Sequence, residues 1–155
     1  AKAPDRLACG CAGTQVRTLA QEEAGQDAPA QPGRLQNWPV QLQLVPVRAP
    51  YFDGCDLLIA ADCTAYACGS FHADFICGHV TLIGCPKLDR ADYEEKLMAI
   101  LMENNVRSIT LTRMEVPCCG GLEYAARQAV EASGKSIPMR VVTFMADGKL
   151  LPQDA

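Results

Sequence analysis

The chain predicts an α/β fold built on a mostly parallel sheet, and three observations carry that reading. Apolar, β-type runs alternate with segments of helical period: 57–61 with 65–77, 80–84 with 91–104, and 108–114 with 121–133. The runs read as continuously apolar, as strands covered on both faces require. Each run leads into cysteine: Asp62-Cys63, Cys85-Pro86, and Pro117-Cys118-Cys119-Gly120-Gly121. Three β-then-α units with right-handed crossovers make a single Rossmann-like three-layer domain of about five strands.

The elements follow in order. Residues 1–22 form an N-terminal arm with Cys9-Gly10-Cys11 and a short helix, for which Thr14 is the expected N-cap and Val16, Leu19 and Ala20 the apolar face. Residues 23–37 have almost no large aliphatic side chains and read as a flexible linker. Trp38 is expected to anchor that linker to the core. The α/β domain spans 38–150 and a tail 151–155. Val40-Gln41-Leu42-Gln43-Leu44 alternates apolar and polar, which predicts a half-exposed edge strand. In the helix over 65–77, Ala67, Phe71 and Phe75 share a face. Tyr93, Leu97, Ile100 and Leu101 do so in the next helix. Leu122, Ala125, Ala126, Ala129 and Val130 do so in the last, which Gly134 stops. A final strand runs from Met139 to Met145, before the Asp147-Gly148 turn.

Composition narrows the function. At 155 residues, 49% hydrophobic and mean hydropathy +0.02, the chain can bury a real core. The net charge of −4 comes with no basic stripe, so nucleic acid is not an expected partner. No apolar run approaches the ~20 residues that span a bilayer, and the polar start Ala1–Arg6 lacks the apolar core of a signal peptide. The start at Ala1 is what removal of an initiator Met leaves, and equally what a cleaved precursor leaves. A cytoplasmic location is expected.

Nine cysteines are many for this length. An odd count, adjacent Cys118-Cys119 and close Cys9 and Cys11 argue against a disulfide scaffold and for metal or redox chemistry. In βα units the turn after each strand lies at the carboxyl edge of the sheet, where open α/β folds bind ligands. Cys63, Cys85, Cys118 and Cys119 all occupy such turns. Thiolates converging there suit a soft metal centre, best an iron–sulfur cluster, [4Fe-4S] or a larger variant. The helix N-terminus at Cys118 and Cys119 is expected to lower thiol pKa values, and Gly120 and Gly121 to let the backbone approach inorganic sulfide. Cys9 and Cys11 could fold over the edge and bring the thiolates to six. Cys55 lies at the opposite edge and reads as packing, as does Cys68, although Cys68 is one turn past Cys63 and could reach a cluster, and Cys77 reads as core or surface. His72 and His79 lack zinc-finger spacing and read as ordinary polar residues.

Several stretches taken together carry a resemblance: Cys9-Gly10-Cys11-Ala12-Gly13, Trp38-Pro39-Val40-Gln41-Leu42, Ala49-Pro50-Tyr51-Phe52, Ala61-Asp62-Cys63, Cys85-Pro86-Lys87-Leu88-Asp89 and Arg113-Met114-Glu115-Val116-Pro117-Cys118-Cys119-Gly120-Gly121-Leu122. The chain resembles, from about Leu7 to Leu150, the domain that follows a ferredoxin domain in iron–sulfur proteins of anaerobic bacteria and archaea. The resemblance implies a cluster-binding, electron-handling protein of the anaerobe cytoplasm. It carries over onto Cys9, Cys11, Cys63, Cys85, Cys118 and Cys119, and not onto Cys55, Cys68 or Cys77. The ferredoxin repeat Cys-x2-Cys-x2-Cys-x3-Cys is absent. That leaves either a stand-alone version or a piece of a longer chain, with electrons supplied by another protein.

The expected function is therefore a non-catalytic iron–sulfur redox protein that hands electrons to a partner such as a ferredoxin or an oxidoreductase. A homodimer is left open, and no membrane partner is expected. One alternative is a redox enzyme with an open iron site or a reactive thiol at Cys118 or Cys119. Asp62 would then be a proton donor, although its simpler role is a helix N-cap. The other alternative is a structural zinc–thiolate protein, against which the missing Cys-x2-Cys pairs argue.

Overall fold

The structure, a computed structural model, describes residues 12–21 and 28–154. Cys9 and Cys11, expected as ligands, lie outside the described residues. Strand β1 (Asp56–Ala61) is followed by the short helix α1 (Thr64–Ala67), a π-helical turn (His72–Ile76) and β2 (Val80–Gly84). Helix α2 (Tyr93–Glu103), β3 (Ser108–Met114), α3 (Gly120–Ser133) and β4 (Met139–Phe144) complete the fold. Among the described residues the sheet has four strands, all parallel, in the order β2-β1-β3-β4. The connection after β1 runs one way and those after β2 and β3 run the other. Right-handed crossovers therefore put α1 and the π turn on one face, and α2 and α3 together on the opposite face.

β1 is the most enclosed strand: Leu57 through Ala61 are all buried. Each fully buried Leu or Ile here contributes about 1.5–3 kcal/mol relative to exposure. α2 starts where the Asp92 carboxylate accepts the Glu95 N–H at 3.0 Å. It buries Tyr93, Leu97, Ile100 and Leu101, the face its periodicity predicts. α3 buries Leu122, Ala125, Ala126 and Ala129 and ends on Gly134, whose φ of 69° is the left-handed cap glycine favours.

Four local expectations are corrected. The N-terminal segment has a 3-10 turn at Ala12–Thr14 but no helix over 15–21, and Val16 and Leu19 are exposed. An apolar face with nothing to pack on does not hold a short helix in water. The edge strand at 40–44 shrinks to one parallel bridge, Gln41 to Ile83. The carbonyl of Gln41 then accepts the N–H groups of Leu44 and Val45, turning the chain so that Leu42 and Val45 are buried and Leu44 is exposed. The helix predicted over 65–77 is broken at Cys68–Ser70. Cys68 turns extended (φ −100°, ψ 111°), and the chain restarts where Ser70 Oγ donates to the Asp74 carboxylate at 2.5 Å. The restart aims Phe71 and Phe75 at Phe144 of β4, with centroids 6.2 and 5.3 Å away. Finally, Trp38 is 77% exposed and anchors nothing. Its neighbour Asn37 does so instead. Asn37 is buried, its amide oxygen accepts the Thr81 N–H at 2.8 Å, and its Nδ2 donates to the carbonyls of Thr81 (2.9 Å) and Pro39 (3.1 Å).

The tail is part of the fold. Leu151 N–H donates to the Thr143 carbonyl at 2.9 Å, and Asp154 Oδ2 accepts the Thr143 N–H at 2.9 Å. The turn before it needs Gly148: φ is +86°, and a Cβ there would stand 2.1 Å from the Ala67 carbonyl oxygen.

Two predictions follow from this packing. Asn37→Ala strands the buried Thr81 N–H and carbonyl and is expected to cost about 1–3 kcal/mol in denaturant unfolding. Trp38→Ala should stay within about 0.5 kcal/mol. Equal costs for the two would show that Asn37 is not the anchor. The second concerns acid. Hydrogen bonds from Arg107 and Ser108 hold the Asp56 carboxyl down at about 2, from an ordinary value of 3.8. A depressed carboxylate contributes stability above its unfolded pKa and loses it as pH falls through the folded one. This contribution should therefore be intact above pH 3.8 and fade towards pH 2, and Asp56→Asn should remove that part of the acid-unfolding curve.

Candidate metal or redox cleft

The strand order creates a switch point between β1 and β3, the strands from which the chain leaves in opposite directions. A crevice is expected beyond the carboxyl ends of such a pair. One is present, of about 230 Å³, and Cys63, Cys85, Cys118 and Cys119 all line it. Cys63 follows β1, Cys85 follows β2, and Cys118 and Cys119 sit in a 3-10 turn between β3 and α3. Pro86, Leu88, Met114 and Val116 give apolar walls, and Asp62 and Lys87 bring charge. Gly13 and Thr14, just past Cys9-Gly10-Cys11, also line it, and Arg17 is paired with Glu115 at 3.0 Å.

Each turn has its own support. The Cys85 N–H is held by Tyr93 Oη at 3.0 Å and reaches Asp89 Oδ2 at 3.4 Å, while the Tyr93 hydroxyl donates to that same carboxylate oxygen. This network pushes the Tyr93 phenol well above its usual value, burial first and Asp89 second. Gly84 makes it fit, because a Cβ there would lie 2.7 Å from Tyr93 Oη. The sequence reading took Tyr93 only as core, and the signal for more was Asp89 one helical turn before it. On β1, Thr64 Oγ1 donates to the Ala61 carbonyl at 2.8 Å and meets Thr112 Oγ1 at 3.0 Å, clamping the first turns after β1 to β3. The turn before α3 is tied through Arg113, which donates to Glu123 at 2.9 Å.

The glycines have a steric part to play. A Cβ at Gly121 would press on Pro86 Cβ at 3.2 Å, and one at Gly120 would meet the Arg113 guanidinium at 3.6 Å. Gly121 lets the α3 turn close against Pro86, whereas a Cβ at Gly120 would make only ordinary contact. The Gly120 N–H donates back to the Pro117 carbonyl.

The lowering of thiol pKa expected at the start of α3 is reversed at Cys119, and Cys63 is raised as well. Burial raises Cys119, with the Cys118 thiol adding to it, against a backbone hydrogen bond from Met114 and the charge of Arg113. Cys63 is exposed as a residue, yet desolvation in the cleft raises its thiol, followed by Cys85, Asp62 and Cys118. That mutual influence is what thiols sharing one crevice produce. Asp62 is not the N-cap expected of it: helix α1 has no side-chain cap, and Asp62 Oδ1 is buried with no hydrogen-bond partner among the described residues.

The remaining described thiols, Cys55, Cys68 and Cys77, do not line the cleft. Cys55 begins the opposite edge, packed on the core, and burial raises it to about 11. Cys68 is buried, with its sulfur 3.7 Å from Ser70 Oγ, and Cys77 is exposed. His72 Nδ1 accepts the Arg34 N–H at 3.1 Å, and His79 Nδ1 lies 3.0 Å from the Cys77 carbonyl. Among the described residues, no three Cys, His, Asp or Glu side chains are grouped to hold one metal ion. No helix among them is long and apolar enough to cross a membrane.

A doubly covered parallel sheet with its crevice at a switch point defines a Rossmann-like α/β protein. Residues 49–155 match the family of Rossmann-like domains, and the chain belongs to it. It is similar to an uncharacterized protein of Archaeoglobus fulgidus, 32% identical over 119 residues, which cover 76% of this chain and 84% of that protein. No solved structure matches the chain.

Thiol accessibility gives a direct check on the cleft. In the metal-free chain, among the described thiols, Cys77 should alkylate first and Cys63 more slowly, because its raised pKa keeps thiolate scarce. Cys68 and Cys119 should label only on unfolding. Peptide mass spectrometry after timed iodoacetamide exposure reads the order, and a Cys119 that labels with Cys77 would contradict its burial.

Proposed function

We propose that the protein binds an iron–sulfur cluster in the cleft and passes electrons through it. The observation that carries this is the meeting of Cys63, Cys85, Cys118 and Cys119, drawn from three strand ends, in one crevice. Four soft thiol donors match what such a cluster takes from a protein. A single tetrahedral zinc would require its sulfurs about 3.8 Å apart. The Cys-x2-Cys pairs usual in such a site are missing, whereas a cluster takes each thiolate on a different iron. The raised Cys119 argues against a free nucleophilic thiolate at that position, which needs a lowered pKa.

When bound, the cluster would supply one-electron transfer at the protein surface. The chain's own residues bind and orient it. Cys63, Cys85, Cys118 and Cys119 ligate, and the Tyr93–Asp89 pair fixes the Cys85 turn. Met114, Val116 and Leu88 keep water from the wall, and Lys87 and Arg113 supply positive charge. Gly13 is at the cleft. Cys9 and Cys11 precede it in the sequence, which keeps a larger cluster with up to six thiolates in the proposal. The partner would be a ferredoxin or oxidoreductase of the cytoplasm presenting a basic patch to this acidic chain.

Anaerobic reconstitution with iron and sulfide tests the reading. The loaded protein should be brown, with broad absorption near ~400 nm and matching iron and acid-labile sulfide. Cys63→Ser or Cys85→Ser should lose most of the iron, and Cys77→Ser should keep it. Tyr93→Phe should weaken cluster retention by about 10-fold, as loss of outer support around a metal site does. A colourless protein loaded with zinc and free of iron would overturn the proposal.

A further inference from the structure

One part of the thiol cleft's wall comes from outside the βα units. Gly13 and Thr14, in the 3-10 turn Ala12–Thr14, line the cleft. That turn packs against the 3-10 turn Pro117–Cys119, which carries Cys118 and Cys119. The other lining residues sit on strand ends and the turns that leave them, whereas this segment reaches the cleft from far away in sequence. It has little apolar hold there. No residue of 12–21 is buried, Gly13 is exposed, and Val16 is 98% exposed. Without burial, the hydrophobic effect contributes little to keeping the segment in place.

Charge supplies a tie. Arg17 is the one charged residue in 12–21, and its guanidinium donates to the Glu115 carboxylate at 3.0 Å. Glu115 is a firm anchor, because its N–H donates to the Phe144 carbonyl of β4 at 2.8 Å. It stands next to Val116, which lines the cleft, and three residues before Cys118. Both side chains of the pair stay in contact with solvent, so the pair is weakly stabilising and is screened by salt. A segment with no buried residue, tied across a cleft by such a pair, lies close to the balance between attached and released. We propose that residues 12–17 are a strap on the thiol cleft, and that the Arg17–Glu115 pair is its latch. Latched, the strap restricts the approach to Cys118 from the side of the Ala12–Thr14 turn. Released, it lets solutes reach the thiols more often. The proposal concerns the cleft itself and does not rest on what fills it.

Timed iodoacetamide labelling of the full chain in its metal-free form, read by peptide mass spectrometry, tests it. Cys77, exposed and outside the cleft, is the internal standard. In low salt, Arg17→Gln and Glu115→Gln should each label Cys118 about 2- to 5-fold faster, relative to Cys77, than the unchanged chain, as loss of an exposed pair implies. The two variants change the charge near Cys118 in opposite senses. A purely electrostatic effect on the thiol would therefore speed one and slow the other. The swapped pair, Arg17→Glu with Glu115→Arg, should restore the slow rate. Raising the salt should speed the unchanged chain towards the single variants and leave those little changed. Labelling that fails to speed up in either single variant, a swapped chain as fast as the single variants, or an unchanged chain indifferent to salt would each overturn the proposal. All arms use metal-free protein, so the cluster reading stands or falls separately.

Discussion

The parallel pairing of β1 on both sides governs this molecule. Leu57 faces Val80 in one ladder and Ile109 in the other, and both registers run on to the carboxyl ends. Parallel strands in register must release their chains at the same edge. Cys63, Cys85 and the Cys118-Cys119 pair emerge together there because the ladder leaves them no other place. The burial of Leu57 to Ala61 makes this costly to disturb, since slipping β1 by one residue would exchange its faces.

Around that edge the structure spends polar groups on holding turns still. The Cys85 amide is caught by Tyr93 and Asp89, with Gly84 providing the clearance. Thr64 and Thr112 clamp the β1 exit to β3. Such fixed turns suit a resident centre, because little must be ordered when it binds. Asp62 Oδ1 and Thr81 Oγ1 differ: each is buried with no hydrogen-bond partner among the described residues.

Much of the fold was legible where a residue pattern has one cheap solution. The buried faces of α2 and α3, and the αL stop at Gly134, follow from 3.6-residue spacing and from glycine's freedom at positive φ. Failures came where tertiary packing outweighed a local pattern. Val40-Gln41-Leu42 alternates like a strand, yet the Gln41 carbonyl closes a turn that buries Val45 in place of Leu44. Phe71 and Phe75 share a helical face, yet Phe144 draws them onto the sheet after a break at Gly69. Asn37 sits in a stretch with the composition of a linker, and no local signal marks it as the residue that satisfies Thr81.

The sequence by itself determined the alternation of strands and helices, their apolar faces, and the placement of cysteine at three strand ends. Those are properties of short stretches, where periodicity and turn chemistry act within a few residues. Only the tertiary structure decided the strand order β2-β1-β3-β4, and with it the switch point at which those thiols share a crevice. It also raised the Cys63 and Cys119 thiols where the helix end by itself would lower one of them. The physical reason is common to both. Burial and neighbouring charge depend on what the chain brings together from distant positions, and no local pattern records that.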